Sequence, residues 1–291
     1  MKYNIVLGCP RSGTTFLMKA LSPFSNSECI SGDHIPVTLP HVLNNIQLTP
    51  EINHALCFGL EHSIHNYLDS ITNSKSHLVF KYLNNNLSKK EFIEGLRKKR
   101  KVNTIIYKEP FLSFSPEYAY QALPEVNIVH IYRDGRDCAN SLVRSYDTLT
   151  NEKLISLKSA EAPIGRPYKD INIPWWVEKG RDDQFYNSTP YIRSIWMWKE
   201  MVKRCHNFFS KPEIKASNRV LLVRYEDFMM NPLEQGEIIV NHFGGQMNSL
   251  IKKKLLNASK SSFGKYKKRD AEEIRKAEEL AKEELSLYGY L

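Results

Sequence analysis

The sequence predicts an α/β fold, in which a single domain has a mostly parallel central sheet flanked by helices. Four short apolar runs rich in β-branched residues, at 3–7, 104–107, 126–132 and 220–225, alternate with stretches of helical spacing. Strands that are apolar along their whole length are typical of a sheet covered on both faces. The 291 residues contain no internal repeat and no linker, so we expect one domain over 1–291.

The first part of the chain supplies the elements that begin this pattern. The first strand leads through a glycine-bounded loop into a helix at 16–21, and a short strand followed by a turn occupies 28–36. Apolar residues at helical spacing fill 39–70. The segment 75–82 is interpreted as a strand, and 89–101 as a basic helix.

A long segment at 147–190 has few regular signals, and a loop of this length in a compact domain is usually functional or mobile. We interpret it as an insertion or lid on the acceptor side. Aromatic residues in it and just after it suggest an aromatic-walled pocket, with core packing an equal interpretation for the last two: Trp175, Trp176, Tyr186, Trp196 and Trp198. Further helices are predicted at 118–123, 138–146, 191–209, 232–243 and, as a charged C-terminal helix, 270–291.

The composition is that of an ordinary globular protein, with 42% hydrophobic and 25% charged residues. The formal net charge of +9 favours anionic partners. The basic run at 97–101 is interpreted as a solvated helix end. No aromatic RNA-binding pattern or zinc-finger spacing accompanies the charge, so nucleic acid is not expected as a partner.

Five scattered cysteines include no C-x-x-C pair, which argues against a disulfide framework and a zinc site and fits a reducing cytosol. The chain starts almost at once with a core strand, and no apolar run approaches the roughly 18 to 20 residues of a membrane span. A cytoplasmic protein without a membrane span is therefore expected.

A phosphate-binding loop is predicted directly after the first strand, where residues 8–15 read GCPRSGTT. The N–H groups of such a loop and the positive end of the following helix face an anion. The spacing matches the P-loop pattern G-x4-G-K-[ST], except that Thr14 replaces the lysine and the cation lies in the loop as Arg11. Since nucleoside triphosphatases normally need that lysine on their terminal phosphates, a different anion is expected.

This loop resembles the 5′-phosphosulfate-binding loop of sulfotransferases, enzymes that use 3′-phosphoadenosine 5′-phosphosulfate (PAPS) as donor. The resemblance implies that five residues of the loop bind the donor: Arg11, Ser12, Gly13, Thr14 and Thr15.

A second motif, IYRDGRDCANSL at 131–142, resembles the sulfotransferase element that binds the 3′-phosphate of PAPS. In that element an arginine at a strand end is followed eight residues later by a serine, and these positions are Arg133 and Ser141 here. An arginine and a hydroxyl can hold a phosphate between them. The other charged residues of the motif, Asp134, Arg136 and Asp137, would also suit a helix cap.

Two later segments extend the resemblance to about residue 266. The segment LVRYED at 222–227 resembles a family strand whose tyrosine contacts the nucleotide, which implies a role for Tyr225. More loosely, SSFGKY at 261–266 resembles the Gly/Lys-rich loop that closes over the 3′-phosphate, which implies Ser262 and Lys265. The resemblance is weakest over 147–190, where acceptor-specific elements would lie.

The resemblance, which is closest to the bacterial small-molecule and tyrosylprotein branches, leaves the general base open. In cytosolic members the base is a histidine at the position of Pro110, so here it must come from elsewhere. Asp33 is the first candidate, His34 the second and Glu109 the third. Lys108 would bridge to the sulfuryl oxygens or to the leaving oxygen.

The resemblance implies transfer of a sulfuryl group from PAPS to a hydroxyl or amine of an acceptor, a small molecule or glycan, by in-line displacement with a general base. The product nucleotide would be 3′-phosphoadenosine 5′-phosphate (PAP), and no metal is required. Two alternatives stay open: a P-loop kinase or nucleotidase with Asp134 as metal ligand, and a basic nucleic-acid-binding protein. Neither the acceptor nor a homo-oligomeric state can be read from the sequence.

Overall fold

A five-stranded parallel sheet forms the centre of the fold, with the strands in the order β2-β3-β1-β4-β7. The computed structural model describes residues 1–31, 39, 43, 49–72, 74–98, 100–123, 125–146, 149–158 and 165–291. In this part of the chain the strands are β1 Lys2–Leu7, β2 Ser27–Ser31, β3 Thr104–Lys108, β4 Asn127–Tyr132, β5 Arg166–Tyr168, β6 Ile171–Ile173 and β7 Val220–Arg224. Strands β5 and β6 form a separate antiparallel hairpin.

Fifteen α-helices are described around the sheet. They are α1 Thr14–Leu21, α2 Pro50–Thr72, α3 Lys75–Leu83, α4 Lys89–Arg97, α5 Pro116–Gln121, α6 Gly135–Tyr146, α7 Asn151–Lys158, α8 Asp182–Tyr186, α9 Pro190–Phe209, α10 Pro212–Ala216, α11 Tyr225–Met230, α12 Pro232–His242, α13 Ser249–Leu255, α14 Ala271–Leu280 and α15 Lys282–Leu287. Short 3-10 helices lie at Pro110–Phe114 and Lys265–Lys268. No helix in the described ranges is both long and apolar enough to cross a bilayer.

Alternate residues of the central strands pack on opposite faces of the sheet, which explains their continuous apolar sequences. Ile5 and Tyr107 belong to a core cluster with residues of α2, α5 and the end of α9. Val6 and Ile106 belong to a second cluster with residues of α1 and α11–α13. The predicted α/β class and the strands in the first three apolar runs are confirmed.

The prediction of a strand at 75–82 is wrong, because this segment forms helix α3. Ser74 caps the helix by accepting a hydrogen bond from the His77 N–H. The fourth apolar run does form a strand, β7, but it lies at the sheet edge, and Leu222 is 51% exposed rather than buried.

Part of the chain outside the central sheet is also more ordered than expected. The segment 147–190 contains α7, the β5–β6 hairpin and α8, and buried Ile171, Ile173 and Phe185 join a core cluster with α6 and α9. The C-terminal segment forms two helices, α14 and α15, instead of one.

The basic run at 97–101 is also not entirely solvated. Within this run, the Arg100 guanidinium pairs with the buried carboxylate of Glu28 and donates to the Ser27 carbonyl. This run therefore helps to hold strand β2 in place.

Candidate functional site

The predicted phosphate loop connects β1 to α1, at the edge of the sheet where the parallel strands have their carboxyl ends. Ligands of open α/β sheets bind at this edge. Two glycines allow the close packing of the loop: an added Cβ would lie 2.2 Å from the Ile131 carbonyl oxygen at Gly8 and 2.4 Å from the Tyr225 ring at Gly13. Both also have positive φ, 148° and 102°, which favours glycine at Gly13 in particular.

The loop is fixed by its own backbone and by a neighbouring segment. The Ser12 N–H donates to the Cys9 carbonyl at 3.0 Å, and the Gly8 N–H donates to Ser113 Oγ at 2.9 Å. Helix α1 begins at Thr14, so its first N–H groups are at the loop. Ser12 Oγ is buried and has no hydrogen-bond partner within the described part of the chain.

Arg133 directly follows β4 and is buried, with 4% of its surface exposed. Its Nη1 donates to the Arg11 carbonyl at 3.1 Å and its Nη2 to the Ser262 carbonyl at 2.6 Å. The guanidinium also stacks on the Tyr225 ring, 4.6 Å from the ring centroid. Its Nε is buried and has no partner among the described residues.

One cavity of about 260 Å³ brings together five of the residues that the sequence predicts for the donor: Arg11, Arg133, Ser141, Ser262 and Lys265. Tyr225 adjoins them, since its hydroxyl is 3.1 Å from Ser262 Oγ. These residues come from four separate segments of the chain. Three segments converge because they follow β1, β4 and β7, which are neighbours in the sheet, and Ser262 of the fourth is hydrogen-bonded to Arg133 and Tyr225.

The side chain of Arg11 lies at the Ser141 end of this arrangement. Its Nε donates to Ser141 Oγ at 2.9 Å and its Nη1 to the Tyr146 hydroxyl at 3.3 Å. The sequence predicts that Arg11 binds the phosphosulfate and Ser141 the opposite, 3′-phosphate end of the donor. In this structure the two side chains are instead in direct contact.

Four other residues of the cavity have no donor role predicted from the sequence: Asp137, Asn140, Arg144 and Ser145. All lie on α6 within four residues of Ser141, and a helix places residues three or four apart on one face. This spacing could have identified Asp137, Arg144 and Ser145. Asn140, Arg144 and Lys265 also line a neighbouring, more open cavity of about 730 Å³.

Asp134 and Arg136, from the same motif as Arg133, have structural partners. The Asp134 carboxylate accepts from Arg136 Nε at 3.0 Å and from Arg136 Nη2 at 2.8 Å. Arg136 also donates to Glu278 and to the Tyr290 carbonyl, which attaches the C-terminal helices to α6. These contacts raise the pKa of the Arg136 guanidinium despite its burial, so it stays charged.

Of the three candidates for the general base, the structure describes one, Glu109. Asp33 and His34 lie outside the described residues. Glu109 is buried, follows β3 and accepts a hydrogen bond from the Phe111 N–H at 3.1 Å with its Oε1. Lys108 is the last residue of β3 and pairs in register with Val6, so it lies at the same sheet edge as the phosphate loop.

The predicted aromatic wall divides into two groups. Trp196 and Trp198 are fully buried in α9, and the Trp198 indole donates to the Arg133 carbonyl at 3.1 Å. Trp175 and Trp176 are partly exposed and pack on Phe114, with ring centroids 5.0 and 5.1 Å away. Core packing is therefore the role of the α9 tryptophans.

The comparison with protein-family models identifies one family. Residues 5–172 match the model of the sulfotransferase family. A search of curated proteins found no match.

The solved structures to which this chain is similar include three bacterial proteins. One is the sulfotransferase domain of the Synechococcus PCC 7002 olefin synthase, with 14% identity, a TM-score of 0.48 and coverage of 97% of this chain and 94% of that chain. Another is a sulfotransferase from Alicyclobacillus acidocaldarius, with 15% identity, a TM-score of 0.42 and coverage of 99% and 98%. The sulfotransferase STF9 from Mycobacterium avium shares 13% identity, with a TM-score of 0.49 and coverage of 100% and 77%.

Proposed function

The chain belongs to the sulfotransferase family, and from this premise we propose that its sulfuryl donor is PAPS, whose 3′-phosphate occupies the cavity between Arg133, Ser141 and Lys265. The observation that carries the proposal is the buried, unpartnered Nε–H of Arg133, beside two further cations, Arg11 and Lys265. A buried donor without a partner costs about 1–3 kcal/mol, and a phosphate oxygen would satisfy it. A terminal phosphate also carries a charge of about −1.5 to −2, which suits several cations.

The 5′-phosphosulfate is assigned to the loop at residues 12–15. Sulfuryl transfer is an in-line displacement at sulfur in which negative charge grows on the leaving phosphate oxygen. The N–H groups of residues 13–15, at the N-terminus of α1, would stabilise this charge. The Ser12 N–H is bonded to the Cys9 carbonyl, but the unpartnered Ser12 hydroxyl supplies one more donor. Arg11 can contribute only if its side chain turns away from Ser141, to which it donates at 2.9 Å.

We propose that the acceptor is a hydroxyl or amine of a small molecule or glycan, deprotonated by a nearby base. The candidates are Asp33, then His34, then Glu109, with Lys108 bridging to the sulfuryl or leaving oxygen. The position of Lys108 and Glu109 beside the phosphate loop, at the carboxyl end of β3, supports their part in this assignment.

The kinase alternative loses its proposed metal ligand. It assigns a magnesium ion to Asp134, but both oxygens of that carboxylate are bonded to Arg136. In the described ranges, no group of three or more His, Cys, Asp or Glu side chains could hold a metal ion. No observation favours ATP over PAPS.

A ligand-binding experiment tests the donor. The protein is heated with PAP, AMP or ATP, each with magnesium and with EDTA, and unfolding is followed by fluorescence. We expect PAP to stabilise the fold in EDTA as well as in magnesium, by about 2.7 kcal/mol at a hundredfold excess over its Kd. Equal stabilisation by AMP and PAP would refute the 3′-phosphate site, and a magnesium-dependent shift with ATP alone would favour the kinase.

A further inference from the structure

An acidic side chain lines the cavity that is proposed for a phosphate. Asp137 is only 4% exposed, and a bare carboxylate there would repel a phosphate dianion. Both of its oxygens are bonded, however. Oδ2 accepts from the Gly264 N–H at 2.7 Å and lies 3.5 Å from Arg133 Nη2, while Oδ1 accepts from the Tyr266 N–H at 3.2 Å.

Both N–H donors belong to the segment 261–266, which we call the closing loop. Gly264 has φ of 64°, in the left-handed region that favours glycine, and its N–H donates to Asp137. The same loop accepts a hydrogen bond at its Ser262 carbonyl from Arg133. Asp137 and Arg133 therefore hold the closing loop at two different points.

We propose that Asp137 is a positioning residue for donor binding. Its carboxylate fixes the closing loop so that Ser262 and Lys265 lie at the same cavity as Arg133, and its own charge is offset by two N–H groups and a guanidinium. The inference rests on the proposed function, because it assigns the cavity to the 3′-phosphate of the donor.

Asp134 offers a matched control. It belongs to the same motif and is also buried and ion-paired, but its partner is Arg136 and it does not line the cavity. Asp137→Asn and Asp134→Asn therefore each disturb a buried carboxylate of similar size. Only the first should alter the recognition of a 3′-phosphate.

The test measures PAP and AMP binding by calorimetry, beside Tm and the KM and kcat for PAPS. In Asp137→Asn, we expect PAP binding to weaken about tenfold or more, as for a lost charge-assisted hydrogen bond, while AMP binding is unchanged. The KM for PAPS should rise more than kcat falls. Asp134→Asn should lower Tm but keep the wild-type ratio of PAP to AMP affinity.

The outcomes separate the inference from the proposed function. A wild-type ratio in Asp137→Asn, with a lowered Tm, would show a merely structural role and overturn the inference alone. Equal affinity of the wild-type protein for PAP and AMP would overturn the phosphate site as well.

A second variant covers the case in which Asp137→Asn does not fold. Gly264→Ala disfavours the left-handed turn without a clash, because the nearest atom to the new Cβ is Lys267 Cδ at 3.7 Å. It should weaken PAP binding several-fold and leave AMP binding unchanged. Unchanged PAP binding in a folded Gly264→Ala protein would contradict the positioning role.

Discussion

Replacing Arg133 with glutamine should remove most of the preference for a 3′-phosphorylated nucleotide. Arg133 supplies the buried Nε–H and a full positive charge at the cavity. A charge-assisted hydrogen bond contributes about 1.5–3 kcal/mol, so Arg133→Gln should raise the Kd for PAP about 10- to 150-fold. AMP, which lacks the 3′-phosphate, should bind with nearly unchanged affinity.

The same substitution also costs stability. It removes hydrogen bonds to the Arg11 and Ser262 carbonyls and the stacking on Tyr225. At about 1 kcal/mol for each hydrogen bond, the free energy of unfolding should fall by about 2 kcal/mol. Binding must therefore be measured well below the Tm of the variant, by calorimetry with PAP and with AMP.

Arg219 provides the control for this loss of stability. It also donates to two backbone carbonyls, of Val126 and Tyr120, and stacks on the Tyr120 ring at 4.1 Å. It precedes β7 and thus lies at the amino end of the sheet, away from the cavity. Arg219→Gln should lower the unfolding free energy similarly and leave PAP binding intact. If both variants bind PAP equally well, Arg133 does not hold the 3′-phosphate.

Two further predictions concern pH stability and the base. Lys81, Arg100 and His77 surround the buried Glu28, and despite the opposing effect of burial they lower the pKa of its carboxyl to about 2. The ionised carboxylate should therefore add at most about 3 kcal/mol to the free energy of unfolding. The value is an upper limit because burial also lowers the pKa of Lys81. This stabilisation is present above pH 4.5 and is lost as the pH falls towards 2. Urea unfolding of Glu28→Gln and wild type should differ at pH 7 and converge near pH 2, and equal stability at pH 7 would contradict the assignment. Asp33→Asn should reduce single-turnover transfer from labelled PAPS about a hundredfold or more with little change in PAP affinity, whereas full activity would move the base to another candidate.

The central strands could be predicted from the sequence because burial on both faces gives long apolar runs, as at 104–107 and 126–132. The wrong prediction of a strand at 75–82 has a related reason. It has an apolar middle, but its inward face also carries Lys81, whose ammonium group pairs with Glu28 and donates to the Ser27 carbonyl of the distant strand β2. The sequence next to this segment does contain a signal for a helix, since serine is a favoured N-cap residue and Ser74 caps α3. The prediction that β7 is a buried strand was wrong because the sequence does not show which strand lies at the edge of the sheet.

The sequence could predict which residues form the candidate site, but not how their side chains are arranged. A motif fixes the spacing of Arg133 and Ser141 along the chain, so both could be named. The contact between Arg11 and Ser141 depends on a side-chain torsion, which no spacing encodes. For Asp137 the sequence offers a helix cap as an alternative role and gives no sign of the closing loop, because the partners there are distant, 127 positions away for Gly264.

That separation has a consequence for the order in which the protein is made. Synthesis proceeds from the N-terminus, and all seven described strands are complete once residue 224 has emerged. The closing loop follows nearly forty residues later, and only then can Asp137 and Arg133 bind their partners in it. A chain that ends at residue 260 would contain all the described strands but would lack the closing loop beside the phosphate site. Sulfotransferase activity should therefore appear only after the closing loop, residues 261–266, has left the ribosome.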